Sequence, residues 1–280
     1  MEDLGPEIKE TVTADGVTLR YHEWNPKTPR GVVIGIHGIR SHGAWYSGSC
    51  TYLCRKGYRV LFPDRRGSGL NRGDMKSTVP YQRWIEDVEH FVRLAGRDLP
   101  GNPVHLLGIS WGGRLAAAVA AAGRVQLRSV ILSAPGLVSL RDYTPWTKLA
   151  IACALFLKSD RGFVIPLEDP ALFTDDPDEQ NYIAEDALGL RRVTARFLLE
   201  SRRLERCAKT GFSGIRIPML LLLAGRDQIV DNDAVKGLYN SCASGDKVIK
   251  LYEKARHTLE FDPCREEYYA DLVRWLDNHS

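Results

Sequence analysis

This 280-residue chain lacks several things, and each absence narrows its class. No apolar run approaches the ~20 residues that a bilayer-spanning helix needs, so an integral membrane protein is not expected. Charge of one sign is also missing. The 38 Lys and Arg against 35 Asp and Glu leave +3, too little to argue for nucleic acid or a strongly acidic partner. The six cysteines (50, 54, 153, 207, 242 and 264) form no C-x-x-C pair. Cys50 and Cys54, one helical turn apart, read as packing rather than as a metal site, and free thiols in a reducing compartment are expected. The opening Met1-Glu2-Asp3 has neither a basic region nor an apolar core, so no secretory leader and a cytoplasmic location are expected. Internal repeats and low-complexity tracts are absent as well. A chain of this length, 44% hydrophobic and 26% charged, reads as an ordinary globular protein: one α/β domain with room for an insertion.

What is there is an alternation of strand and helix signals. Glu7 to Thr13 and Val17 to Trp24 flank Asp15-Gly16, a strong hairpin signal. Strand 31–36, a helix from about Ala44, strand 58–62 and a helix over 81–97 follow. Strand 104–109, helix 111–122 and strand 128–133 continue the pattern, and apolar runs at 217–223 and 247–252 precede a last helix. Such alternation predicts a mostly parallel sheet flanked by helices, after an antiparallel start.

Gly108-Ile109-Ser110-Trp111-Gly112 sits at one strand-to-helix junction. Glycines two residues either side of Ser110 remove the side chains that would clash where strand and helix approach, so the hydroxyl can stand clear on a sharp turn. A serine hydroxyl is a poor nucleophile alone. It needs a histidine to take its proton and a carboxylate to orient the imidazole. Asp227 closes the 217–223 strand through Ala224-Gly225-Arg226, and His257 follows the 247–252 strand. Ligands in open parallel sheets bind outside the carboxyl ends of the strands, so Ser110, Asp227 and His257 are expected on one rim. Asp64 precedes Ser110 and suits an anchored loop, while Asp231 and Asp233 suit the N-cap and first turn of the next helix. His37-Gly38-Ile39-Arg40 follows the 31–36 strand, and the backbone N–H groups of Ile39 and Trp111 are the expected donors to an oxyanion. His37 and His42 lack a third ligand and make a poor zinc site.

With His37-Gly38, Asp64-Arg65-Arg66-Gly67-Ser68-Gly69, Gly108 to Gly113, Gly225-Arg226-Asp227 and His257, the chain resembles the α/β-hydrolase superfamily over nearly its whole length. Within it, the chain is similar to the monoacylglycerol lipase and lysophospholipase branch. The resemblance implies serine-dependent ester hydrolysis without metal or organic cofactor, and a helical cap over the site. Trp111 departs from the pattern, since lipases of this branch often carry methionine after the nucleophile, near the acyl pocket.

β-signals vanish from about Ser139 to Gly214. The expected division is a hydrolase core of 1–138 and 215–280 with a cap of 139–214. The apolar run Leu149–Leu157, Leu155 and Phe156 included, reads as acyl-pocket wall, membrane-surface contact or core of the cap. The following acids (168 to 186) and arginines (191 to 206) read as a mutually paired, solvated face rather than a phosphate-binding cluster. The expected activity is hydrolysis of a small-molecule acyl ester, acylglycerol or lysophospholipid in type, through an acyl-enzyme. Two other readings stay open on this scaffold: a ligand receptor with vestigial turnover, and an acyltransferase.

Overall fold

The computed structural model describes residues 5–73 and 79–280; the Met1–Asp3 opening read above lies outside the described residues. Strands β1 (Glu7–Val12) and β2 (Thr18–Trp24) pair antiparallel around a turn in which Gly16 takes φ +78° and donates to Thr13 O. That left-handed conformation favours glycine over a residue with a Cβ. Strand β3 (Gly31–Ile36), helix α1 (Ser47–Arg55), strand β4 (Tyr58–Pro63) and helix α2 (Tyr81–Asp98) follow. Then come β5 (Val104–Ile109), α3 (Trp111–Ala122) and β6 (Ser129–Ser133). In α2 the buried Trp84, Ile85, Val88, Phe91, Val92 and Ala95 recur at helical spacing and lay one face on the sheet.

The chain then leaves the sheet for α4 (Pro145–Phe156), β7 (Gly162–Val164), α5 (Pro177–Glu185), β8 (Arg192–Thr194) and α6 (Ala195–Gly211). It returns with β9 (Met219–Ala224), α7 (Asn232–Ser241), β10 (Lys247–Tyr252) and α8 (Arg265–Asn278). The eight-stranded sheet runs β1-β2-β4-β3-β5-β6-β9-β10. It is parallel throughout except for the two pairs that involve β2. Strands β3, β4, β5, β6 and β9 are buried at every position, as continuous apolar runs covered on both faces must be. Of the two edge strands, β10 carries Lys247 and Lys250, which discourage pairing with another chain.

Three expectations are corrected. Between Ser139 and Gly214 there is strand after all: β7 and β8 pair antiparallel from Gly162 opposite Thr194 to Val164 opposite Arg192. The run at 217–223 becomes a strand only from Met219, because Pro218 has no N–H to give the ladder and contributes only its carbonyl, to Val130 N. The acidic and basic runs of the insertion do not pair with each other as expected. Asp175 meets Arg226 and Arg256, and Glu179 meets Arg265. Arg202 and Arg203 meet Asp142, Glu205 and Glu200.

The insertion is tied to the core at several points. Asp186 accepts from Trp45 Nε1 at 2.7 Å and lies 3.2 Å from His42 Nε2. Helix α6 lies along α3, with Phe197 stacked on Trp111 at 6.0 Å between ring centres.

Candidate active site

Ser110 is the single residue between β5 and α3, with φ +54° and ψ −120°. A non-glycine residue there is strained, and the surroundings fix it. Its N–H donates to Ser133 O (2.9 Å), and its carbonyl accepts from Gly113 N (2.9 Å) and Gly136 N (2.6 Å). The flanking glycines are a steric requirement: a Cβ at Gly108 would lie 2.7 Å from Gly112 O, and one at Gly112 would overlap the Ile36 carbonyl.

Asp227 follows the end of β9. Its Oδ1 accepts from Ile229 N (2.8 Å) and Val230 N (3.0 Å), leaving Oδ2 to meet His257 Nδ1 at 2.8 Å. The other ring nitrogen, Nε2, lies 2.8 Å from Ser110 Oγ. His257 is only 2% exposed, and Phe173 packs edge-on against its ring. The three residues expected on one rim are thus joined in a single line of hydrogen bonds. Asp64 and Asp231 are occupied elsewhere. Asp64 accepts from Gly43 N and Leu70 N, and Asp231 caps α7 by accepting from Ala234 N.

The loop after β3 passes directly over Ser110: a Cβ on Gly38 would sit 3.3 Å from Ser110 Cβ. His37 Nε2 accepts from Arg65 N (2.8 Å), so Nδ1 carries the proton and donates to Gly38 O (2.7 Å). Burial, then the charge of Arg65, pushes the His37 pKa down to about 3, which keeps this ring neutral. His42 faces Asp186 instead. Ile39, Trp111 and Ser110 share the wall of one cavity. As the first helical residue, Trp111 has no carbonyl four places back within α3 to take its N–H.

Arg65 escaped notice as an individual residue in the sequence. Its guanidinium lies 4.7 Å from the Trp111 ring centre and donates to Ile39 O at 3.3 Å. One side chain therefore touches both residues whose amides are the expected oxyanion donors. The Trp111 indole, in the place where methionine is common in the branch, is buried against Trp84 and Phe197 and donates to Ser201 Oγ at 2.7 Å.

The cavity beside Ser110 measures about 530 Å³, within the ordinary range for small-molecule sites. Ile151, Leu155, Ile165, Leu167 and Leu198 supply its apolar wall. Phe156, expected next to Leu155 in the pocket, lies outside it and is 85% exposed. Adjacent helical residues point about 100° apart, so one can face the cavity while the next faces away. Helix α4 is not the buried core of the insertion either: only Ala154 is buried, while Trp146 is 81% and Leu149 55% exposed. No helix of the described residues is long and apolar enough to cross a membrane.

Residues 27–264 match the family described as serine aminopeptidase, S33. The monoglyceride lipase of Mus musculus is 28% identical, over 97% of this chain and 91% of its own length. The phospholipase YtpA of Bacillus subtilis is 28% identical, over 91% of this chain and 98% of its own. In fold, the chain is similar to a soluble variant of the Saccharomyces cerevisiae monoglyceride lipase, solved with a substrate analogue. The TM-score is 0.86 at 22% identity, covering 100% of this chain and 97% of that one. With the family matched over most of its length, on a mostly parallel sheet with Ser110 at a sharp strand-to-helix turn, this chain belongs to the serine aminopeptidase S33 family of α/β-hydrolases, in its monoacylglycerol lipase branch.

Proposed function

We propose that this chain is a serine carboxylic-ester hydrolase that cleaves fatty acyl esters of acylglycerol type through an acyl-enzyme. The observation that carries the reading is His257 set 2.8 Å from Ser110 Oγ on one side and 2.8 Å from Asp227 Oδ2 on the other. Ser110 donates its hydroxyl proton to Nε2 as Oγ attacks the ester carbonyl. Asp227 accepts from Nδ1–H, holding the ring in the tautomer with Nε2 free and stabilising the imidazolium that forms. The amides of Ile39 and Trp111 receive the oxyanion. Collapse of the tetrahedral intermediate expels the alcohol, protonated by His257. Water then attacks the acyl-enzyme with His257 again as base, releasing the acid and restoring the serine.

In this reading residues 139–214 act as the cap, with Ile151 and Leu155 lining the acyl channel. The exposed apolar side chains of α4, Trp146, Leu149 and Phe156, make transient contact with lipid surfaces that hold the substrate. The relatives' names, monoglyceride lipase and phospholipase, support acyl-lipid esters as the substrate class. The test is a series of p-nitrophenyl esters of rising acyl length. Each methylene buried in the channel contributes about 0.8 kcal/mol, so kcat/KM should climb from acetate and level off once the cavity is full. A profile flat or falling from acetate onward would overturn the acyl-lipid assignment.

A further inference from the structure

The far wall of the same cavity is charged. Five cationic side chains, Arg114, Arg141, Lys148, Arg202 and Lys209, line it with Ser110, against two carboxylates, Asp142 and Glu205. The carboxylates are shared rather than matched. Glu205 is approached by Arg114 (3.4 Å), Arg202 (3.6 Å) and Lys209 (2.7 Å), and Asp142 by Lys148 and Arg202. Arg141 reaches Gln228 and no carboxylate among the described residues.

Arg114 is the informative member. It lies one turn beyond Ser110 on α3, with its side chain 11% exposed. It donates to Gly136 O and Ser201 Oγ, while its buried Nε–H has no partner among the described residues. Burial pulls its pKa down to about 10, with Glu205 acting the other way. A guanidinium mostly withdrawn from water is unfavourable unless negative charge compensates it, and the one carboxylate beside Arg114 is divided among three cations. Guanidinium groups suit carboxylates and phosphates, whose oxygens they bind in pairs.

Resting on the ester-hydrolase reading, we infer that the preferred substrate is an acyl ester bearing an anionic group, phosphate or carboxylate, which sits among Arg114, Lys148, Arg202 and Lys209. Ester and anion are then held in one cavity: the carbonyl at Ser110, the apolar part of the chain against Leu155 and Leu198, and the charge at the cationic wall.

Three octanoyl-length substrates test this below their micelle concentrations: neutral 1-octanoylglycerol, the same ester with a phosphate on the glycerol, and a glycerol ester whose acyl chain ends in a carboxylate. At low salt, one charged ester should exceed the neutral one in kcat/KM by about ten-fold, chiefly through KM. Which one it is reports whether the anion belongs to the alcohol or to the acyl part. Added salt should shrink the ratio, since the outer cations are solvated. In K148Q/R202Q the charged-to-neutral ratio should fall toward one, whereas a merely structural defect would lower all three rates together and leave the ratio standing. A neutral ester used as well as both charged ones, or a ratio that survives in the double variant, overturns the inference. Fluorophosphonate labelling of Ser110 on the same samples separates the two failures. A labelled enzyme without charge preference sinks only this inference, and an unlabelled protein inert on all three esters sinks the hydrolase reading with it.

Discussion

At the scale of single residues, the account turns on which carboxylate serves His257. Asp227 meets Nδ1 and Asp231 caps a helix, so the two aspartates should answer differently to the same change. Asp227→Asn keeps the shape but favours the wrong tautomer, and kcat on a soluble ester should fall on the order of 10⁴. Asp231→Asn retains a good capping residue and should stay near the parent rate. A reversal of the two outcomes would reassign the acid. Arg65 offers a finer test, because it contacts Trp111 and Ile39 at once. Arg65→Met keeps the stem but releases both contacts. Its kcat should drop about ten-fold with KM little changed, less than the ~10² to 10³ lost when an oxyanion donor is removed outright. An unchanged kcat would make Arg65 a packing residue only. The serine, the aspartate and the histidine were each legible in the sequence because strand ends and chain order place them. The contacts of Arg65 were not, since a guanidinium lying over a ring from another element leaves no local pattern.

At the scale of elements, α4 divides its neighbours Leu155 and Phe156 between cavity and solvent. Leu155→Ser should flatten the rise of kcat/KM with acyl length, because it removes apolar wall where the chain lies. Phe156→Ser should leave that rise intact on soluble esters and weaken retention of the protein on lipid vesicles. If Phe156→Ser flattened the series instead, the assignment of faces on α4 would be wrong. An all-round apolar helix carries no moment to say which face is covered, which is why the sequence left its role open. The buried strands were legible for the opposite reason: five or six apolar residues bounded by turns suit a strand covered on both faces. β7 and β8, three residues each, are too short for any alternation to show.

At the scale of the whole molecule, the turn after His257 is fastened to the core by a buried acid. Glu260 Oε1 accepts from Ser49 N (2.8 Å) and Tyr269 Oη (2.9 Å), joining that turn to α1 and α8. Burial pushes its pKa from 4.5 up to about 7. Between those values the folded protein keeps a proton that the unfolded chain gives up, so this contribution is complete below pH 4.5 and fades as the pH rises through about 7. The Tm of the parent should therefore fall relative to Glu260→Gln between pH 5 and 8, and parallel curves would contradict a raised pKa. None of this was legible in the sequence, because the burial of Glu260 depends on segments more than 200 residues apart. The central claim, that Ser110 is the nucleophile, is tested most directly by mass spectrometry of the intact and digested protein after reaction with a fluorophosphonate. One adduct per chain, on the peptide containing Ser110, with loss of esterase activity in step and no adduct on Ser110→Ala, is the predicted result. An adduct on another serine, or esterase activity that persists once Ser110 is fully modified, would contradict it.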